Sequence, residues 1–107
     1  TAIQGDIGSK NFLHIILNNA AHDSVGGQPT VAHKIKITEI AKNCGYKNVI
    51  RVCNTTSLIE NLEKFKKLQI GPNLIEVIVN KGARANLGRP TTSPIDNKKS
   101  FMSFIKN

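Results

Sequence analysis

The sequence predicts an α/β domain built on a parallel sheet of about three or more strands with flanking helices. Three observations carry this expectation. Short, nearly unbroken apolar runs recur at "NFLHIILNN" (residues 11–19), "NVIRVC" (48–53) and "NLIEVIVN" (73–80). Unbroken runs of that length suit strands covered on both faces. Amphipathic helical patterns alternate with them, and such alternation gives parallel strands with right-handed crossovers.

The first run supplies a strand, and the glycines of "GDIGSKN" precede it as a turn. Ile37, Ile40, Ala41 and Cys44 then sit at i, i+3, i+4 and i+7, with Gly45 placed for a left-handed stop. The second strand comes next, at 48–53. Ser57 and Glu60 are spaced as a capping box, opening a helix whose apolar positions are Leu58, Ile59, Leu62, Phe65 and Leu68. "GP" at Gly71-Pro72 closes that stretch before the third strand. Finally "SPID" offers Ser93 as a cap, Pro94 at the first helical position and Asp96 in the first turn. It begins a terminal helix with Ile95, Phe101, Met102, Phe104 and Ile105 as candidate core residues.

Composition narrows the function classes. A chain of 107 residues is one domain or part of one. Hydrophobic residues make up 39% and aromatics only 5%, so the core is expected to be aliphatic. The net charge of +8 invites a nucleic-acid reading. The lysines are dispersed along helical faces without interleaved aromatics, which argues against it. A basic, non-catalytic binding module stays as the lower-ranked alternative. Cys44 and Cys53 fall at apolar positions and are expected to be buried, reduced thiols of a cytoplasmic protein. No apolar stretch approaches a membrane span, so no membrane association is expected.

Parallel strands gather their carboxyl-end loops on one edge, and ligands of open α/β sheets bind there. Three loops should meet on it, at residues 18–30, 54–57 and 81–89. The first, "NNAAHDSVGGQPT", leaves the strand through Asn18 and Asn19. An amide oxygen is a hard neutral ligand for magnesium, and equally an ordinary turn cap. His22 offers an imidazole for acid-base chemistry and Asp23 is the nearby acid. Gly26 and Gly27 permit close approach of the backbone to a ligand, and Gln28 offers a donor and an acceptor. Lys81, Arg84 and Arg89 place cations on the same edge, suited to an anionic substrate or to solvent. No P-loop, Rossmann or nucleophile-elbow signature is present.

"NFLHIILNNAAHDSVGGQPT", "CGYKNVIRV" and "KGARANLGRPTTSPIDNKKSFMSFI" together resemble the cofactor domain of thiamine-diphosphate-dependent phosphonopyruvate decarboxylases. The similarity spans nearly the whole chain, and the pairing of "HDSVGGQPT" with "LGRPT" is its specific part. Sulfopyruvate decarboxylases are similar too, less so in the last loop. The resemblance implies thiamine diphosphate and Mg2+ as cofactors and a small anionic 2-keto acid as substrate. It implies Asn19 as a side-chain metal ligand and Ala21 as a backbone one. It places His22 and Asp23 toward the cofactor as catalytic candidates, and Gly26, Gly27 and Gln28 over the active site. Lys81, Arg84 and Arg89 become the candidate substrate-anion residues. The family's Gly-Asp-Gly metal motif should stand a few tens of residues before Asn-Asn, and "GDI" at 5–7 is not that motif. Residues 1–107 are therefore expected to be a single, incomplete C-terminal cofactor domain. The expected partners are an N-terminal part with a pyrimidine-binding domain and further copies in a homo-oligomer. The chain alone is expected to be inactive.

Overall fold

The computed structural model describes residues 1–106. A short helix α1 (Ala2–Ile7) leads into strand β1 (Leu13–Asn18). A two-residue hairpin, β2 (Ala21–His22) and β3 (Gln28–Pro29), succeeds it. Then come α2 (Ile37–Asn43), β4 (Asn48–Val52), α3 (Thr55–Lys67), β5 (Asn73–Ile78) and α4 (Pro94–Lys106). β1, β5 and β4 form a three-stranded sheet in that order, and both pairings are parallel. The expected α/β class holds.

β5 lies at the centre, and its alternation sorts the core into two faces. Ile75 and Val77 join Val52 and Phe65, packed by Leu58, Leu62 and Leu68 of the α3 region. Leu74 points the other way, onto Ala41 and Tyr46 of the α2 side, with Ile16 and Val49 beside it. Gly45, at φ 94, ends α2 in the left-handed conformation its position required. On this face the Tyr46 hydroxyl lies 3.2 Å from His14 Nδ1. Burial pushes the Tyr46 phenol above its ordinary pKa, and the neighbouring Cys44 adds to the shift.

Several expectations are corrected. The run at 11–19 is not covered on both faces. β1 is an edge strand, with Ile15 and Leu17 exposed. Only β5 has the two-sided burial the pattern suggested. Ile40 and Ile59 also face solvent. "GDI" belongs to helix α1 and not to a turn. Gly5 brings that helix against the end of α2, where a Cβ would overlap the Cys44 carbonyl. The cap of α3 stands three residues before the expected capping box. Asn54 is its cap, accepting from Ser57 N at 2.8 Å, so Ser57 is already inside the helix. An amide at the end of β4 reaches the free N–H groups first. Cys53 is exposed and Cys44 half-buried, because both stand at element ends outside the two core clusters proper.

The largest correction concerns α4. Ser93 caps it as expected, accepting from Asp96 N at 3.2 Å. Yet Ile95, Phe101, Met102, Phe104 and Ile105 are all exposed, and none joins either core cluster. No helix among the described residues is long and apolar enough to cross a membrane.

Candidate active site

Asn18 organises the carboxyl edge of the sheet. It is buried, and its Oδ1 accepts from Ala20 N at 3.0 Å. That bond closes a turn in which Ala20 takes φ 54, a left-handed conformation unusual for a residue with a side chain. Asn19 repeats the device one residue later, accepting from Ala21 N at 3.0 Å. The chain therefore leaves the strand through two successive side-chain-held turns.

β2 and β3 then fold the loop back. Thr30 N donates to Ala20 O at 2.8 Å and Gly27 N to His22 O at 2.9 Å. Ala21 stands opposite Pro29, which has no N–H to give. The Thr30 N to Ala20 O bond marks Ala21–Pro29 as a non-hydrogen-bonded pair, so the Ala21 carbonyl is not part of the ladder. Gly26 and Gly27 take φ 105 and 72, so both use conformations that favour glycine. The Gln28 side chain lies over Gly26, with Nε2 2.9 Å from where a Cβ would stand.

Asp23 ties the first loop to the third. Its Oδ2 accepts from Asn19 Nδ2 at 2.6 Å and from Gly82 N at 2.9 Å. Residues 18–30 and 81–89 therefore meet on one edge, through a contact 59 residues long in sequence. The middle loop is shorter than expected, because Thr55 already belongs to α3. His22 is exposed, as are Lys81, Arg84 and Arg89. None of the three cations is among the salt bridges of the described residues.

The donors gathered here are oxygens: the Asn19 amide, the Ala21 carbonyl and the Asp23 carboxylate. Hard oxygen donors suit magnesium, which binds through one or two carboxylates and retains water or phosphate for its other positions. The Asn19 oxygen keeps a second lone pair after serving Ala21 N. Among the described residues no three His, Cys, Asp or Glu side chains gather as a metal set. Asn19 and Asp23, with the Ala21 carbonyl, could thus supply part of a magnesium shell, the rest falling to water or to ligand oxygens. Two clefts of about 260 and 310 Å³ lie at the other end of the strands, lined by Lys10, Leu13 and Asn73 and by Lys47, Asn48 and Lys64 respectively. They are remote from these loops.

One constellation escaped the sequence reading. Glu76, in the middle of β5, is fully buried. Its Oε2 accepts from Arg51 Nε at 2.8 Å, and its Oε1 from Arg51 Nη2 at 3.2 Å. Asn18 Nδ2 donates to the same Oε1 at 2.7 Å. The Glu76 hydrogen bonds hold the Arg51 pKa above its already high ordinary value. The readable signal was a lone acid inside "NLIEVIV". Arg51 and Glu76 each stand fourth in runs beginning at Asn48 and Asn73, and parallel pairing sets those runs side by side.

No family model matches the chain. Individual proteins do. Phosphonopyruvate decarboxylase of Streptomyces viridochromogenes is 28% identical over 95 residues, covering 89% of this chain and 24% of that protein. Phosphonopyruvate decarboxylase of Streptomyces hygroscopicus is 32% identical over 94 residues, covering 88% of this chain and 23% of that protein. Sulfopyruvate decarboxylase subunit beta of Methanocaldococcus jannaschii is 31% identical over 105 residues, covering 95% of this chain and 53% of that subunit. The chain spans about a quarter of the length of the Streptomyces relatives and about half of the archaeal subunit. Its resemblance to these decarboxylases therefore holds over most of its own length.

Proposed function

We propose that this chain, a relative of the phosphonopyruvate and sulfopyruvate decarboxylases, forms the magnesium- and diphosphate-facing part of a thiamine-diphosphate-dependent 2-keto acid decarboxylase. The substrate we assign is 3-phosphonopyruvate, with phosphonoacetaldehyde and carbon dioxide as products. The observation that carries the reading is the Asp23 carboxylate joining Asn19 to Gly82. It assembles oxygen donors and a cationic loop at the ligand-binding edge of a parallel sheet.

Asn19 Oδ1 and the Ala21 carbonyl would hold a magnesium ion, whose charge would favour the diphosphate there. Asp23 orients the Asn19 amide through its Nδ2. His22, next to Asp23 in the chain, would face the cofactor and offer an imidazole for proton transfer. Gly26 and Gly27 let the backbone lie close over the ligand, with Gln28 supplying a polar side chain. Lys81, Arg84 and Arg89 attract the substrate's anionic end. Thiamine diphosphate, when bound, supplies the electron sink for loss of carbon dioxide. The pyrimidine-binding part and further copies of the chain complete the enzyme, which acts in the cytoplasm, and the chain alone is inactive.

Sulfopyruvate is the second reading, favoured by the 31% identity to the archaeal subunit. A phosphonate carries up to two negative charges and a sulfonate one, so a loop with three cations favours the phosphonate by simple electrostatics. Turnover of both substrates by the intact enzyme separates the two. The metal reading is tested by Asn19→Ala in that enzyme. Loss of one ligand oxygen should weaken thiamine diphosphate binding roughly tenfold to a hundredfold, in keeping with about 1–3 kcal/mol for a buried polar partner left unsatisfied. Raising magnesium should restore much of it by mass action. Binding that is unchanged at low magnesium would remove Asn19 from the site.

A further inference from the structure

We infer that Glu76 and Asn18 are positioning residues for the magnesium loop, and that Arg51 anchors them from the far strand. The inference rests on the reading of Asn19 and Ala21 as metal ligands. It concerns three residues to which that reading gives no part.

The geometry is a relay across all three strands of the sheet. Arg51 on β4 grips the Glu76 carboxylate on β5 with two N–H groups. Glu76 accepts from the Asn18 amide on β1, and Asn18 accepts in turn from Ala20 N. On either side of Ala20 stand Asn19, whose amide forms the second turn, and Ala21. Each link leaves the next one a single orientation. An amide whose Nδ2 is committed to a carboxylate must turn its Oδ1 toward Ala20. That bond holds Ala20 in its left-handed conformation, which a buried alanine would otherwise avoid.

Burial makes the arrangement costly to keep for stability alone. A fully buried carboxylate loses its hydration, and a paired charge inside a protein is often replaceable by apolar side chains without loss. Leu74, Ile75 and Val77 show that β5 on either side of it is filled with apolar groups. A charge at Glu76 is explained by what it orients: the exit of the neighbouring strand into the ligand loop. Arg51 remains about half exposed, so the relay is tethered at a solvated end. Outer partners that orient metal-ligating groups commonly set affinity by tenfold to a hundredfold.

The experiment measures thiamine diphosphate binding to the intact decarboxylase across a magnesium titration, by calorimetry. Glu76→Gln keeps the shape but sets an amide N–H against the donors of Arg51 and Asn18. It should raise the magnesium needed for half-maximal cofactor binding roughly tenfold. Asn18→Ala, which leaves the Arg51–Glu76 pair intact, should do the same. The double variant should add little to either single one, because both act through one chain of contacts. A purely structural role would lower the thermal midpoint and leave the magnesium requirement of the folded protein unmoved. If Asn19→Ala raises the requirement while Glu76→Gln and Asn18→Ala keep the wild-type value, this inference is wrong and the metal reading stands. If Asn19→Ala is also silent, the metal reading itself fails. Should Glu76→Gln not fold, Asn18→Ala decides by the same comparison.

Discussion

The central strand and the carboxyl-terminal arm are written in similar residues and meet opposite fates. Residues 71–77 are buried without exception, whereas every described residue from 79 to 106 is exposed. β5 carries leucine, isoleucine and valine, and α4 carries isoleucine, phenylalanine and methionine at helical spacing. The difference lies in partners. β5 has a strand on each side and a helix region on each face, so its apolar groups are covered as the sheet forms. α4 has no such cover, and the outer strand β1 has a strand on one side only and is partly covered. The accessible surface is 8338 Å², well above the roughly 5,900 Å² expected for a compact monomer of this mass. Apolar periodicity therefore says which face of an element is able to be buried, and only a neighbour settles whether it is.

The sharpest way to break this comparison is a matched pair of truncations. Ile75→Ala removes a fully buried side chain from the sheet centre and should cost about 2–5 kcal/mol in denaturant unfolding. Phe104 is 80% exposed, and Phe104→Ala should change stability by no more than about 0.5 kcal/mol. A comparable cost at both sites would mean that α4 finds a partner in solution. That cost would then fall on dilution if the partner were another copy of the chain.

The same distinction decides how much of the molecule is legible in its sequence. The three strands, their parallel arrangement and the approximate span of α2 came through, because they rest on local apolar runs and on alternation. The two-loop meeting at the carboxyl edge was expected from topology, and Asp23 bonded to Gly82 N is its physical form. Edge or centre is not a local property, so 11–19 and 73–80 looked alike while only one became β5. α1 was missed because it is short and carries Gly5 in its interior, where propensity is poor. The capping error arose because Asn54 and Ser57 are both good cap residues, three apart, and the one nearer the strand end won. Glu76 was passed over because a single acid does not break an apolar run. Its partner Arg51 is adjacent only once the register is known.

Helix caps sharpen the comparison at smaller amplitude. Asn54 caps α3, whose Phe65 is part of the sheet core, and Ser93 caps α4, which has no buried residue. Asn54→Ala should lower global stability by about 1 kcal/mol, because fraying at that end loosens a packed helix. Ser93→Ala should reduce helical circular dichroism without moving the unfolding midpoint, since α4 has no buried residue and joins neither core cluster. A shifted midpoint for Ser93→Ala would show the arm to be coupled to the sheet. Ser57→Ala should cost less than Asn54→Ala, and the reverse order would restore the capping box at Ser57.

The smallest expected effect is also the most local. Tyr46 is the chain's single tyrosine and there is no tryptophan, so phenolate absorbance reports on one buried site in the body. Burial disfavours the phenolate, and the nearby Cys44 disfavours it further. The native midpoint should therefore lie above that of free tyrosine, about 10. A group whose folded pKa is raised contributes fully to stability below its unfolded pKa, and the contribution disappears as pH rises through the folded value. Alkaline solution should thus erode stability only beyond the ordinary tyrosine range, and denaturant should return the midpoint to the free value. Because Tyr46 packs on Leu74 and Ala41 and not on the arm, Phe104→Ala should leave this titration untouched while Leu74→Ala brings it down. A native midpoint equal to that of free tyrosine would mean that the α2 face of the sheet is open to water, and the contrast between body and arm would not hold there.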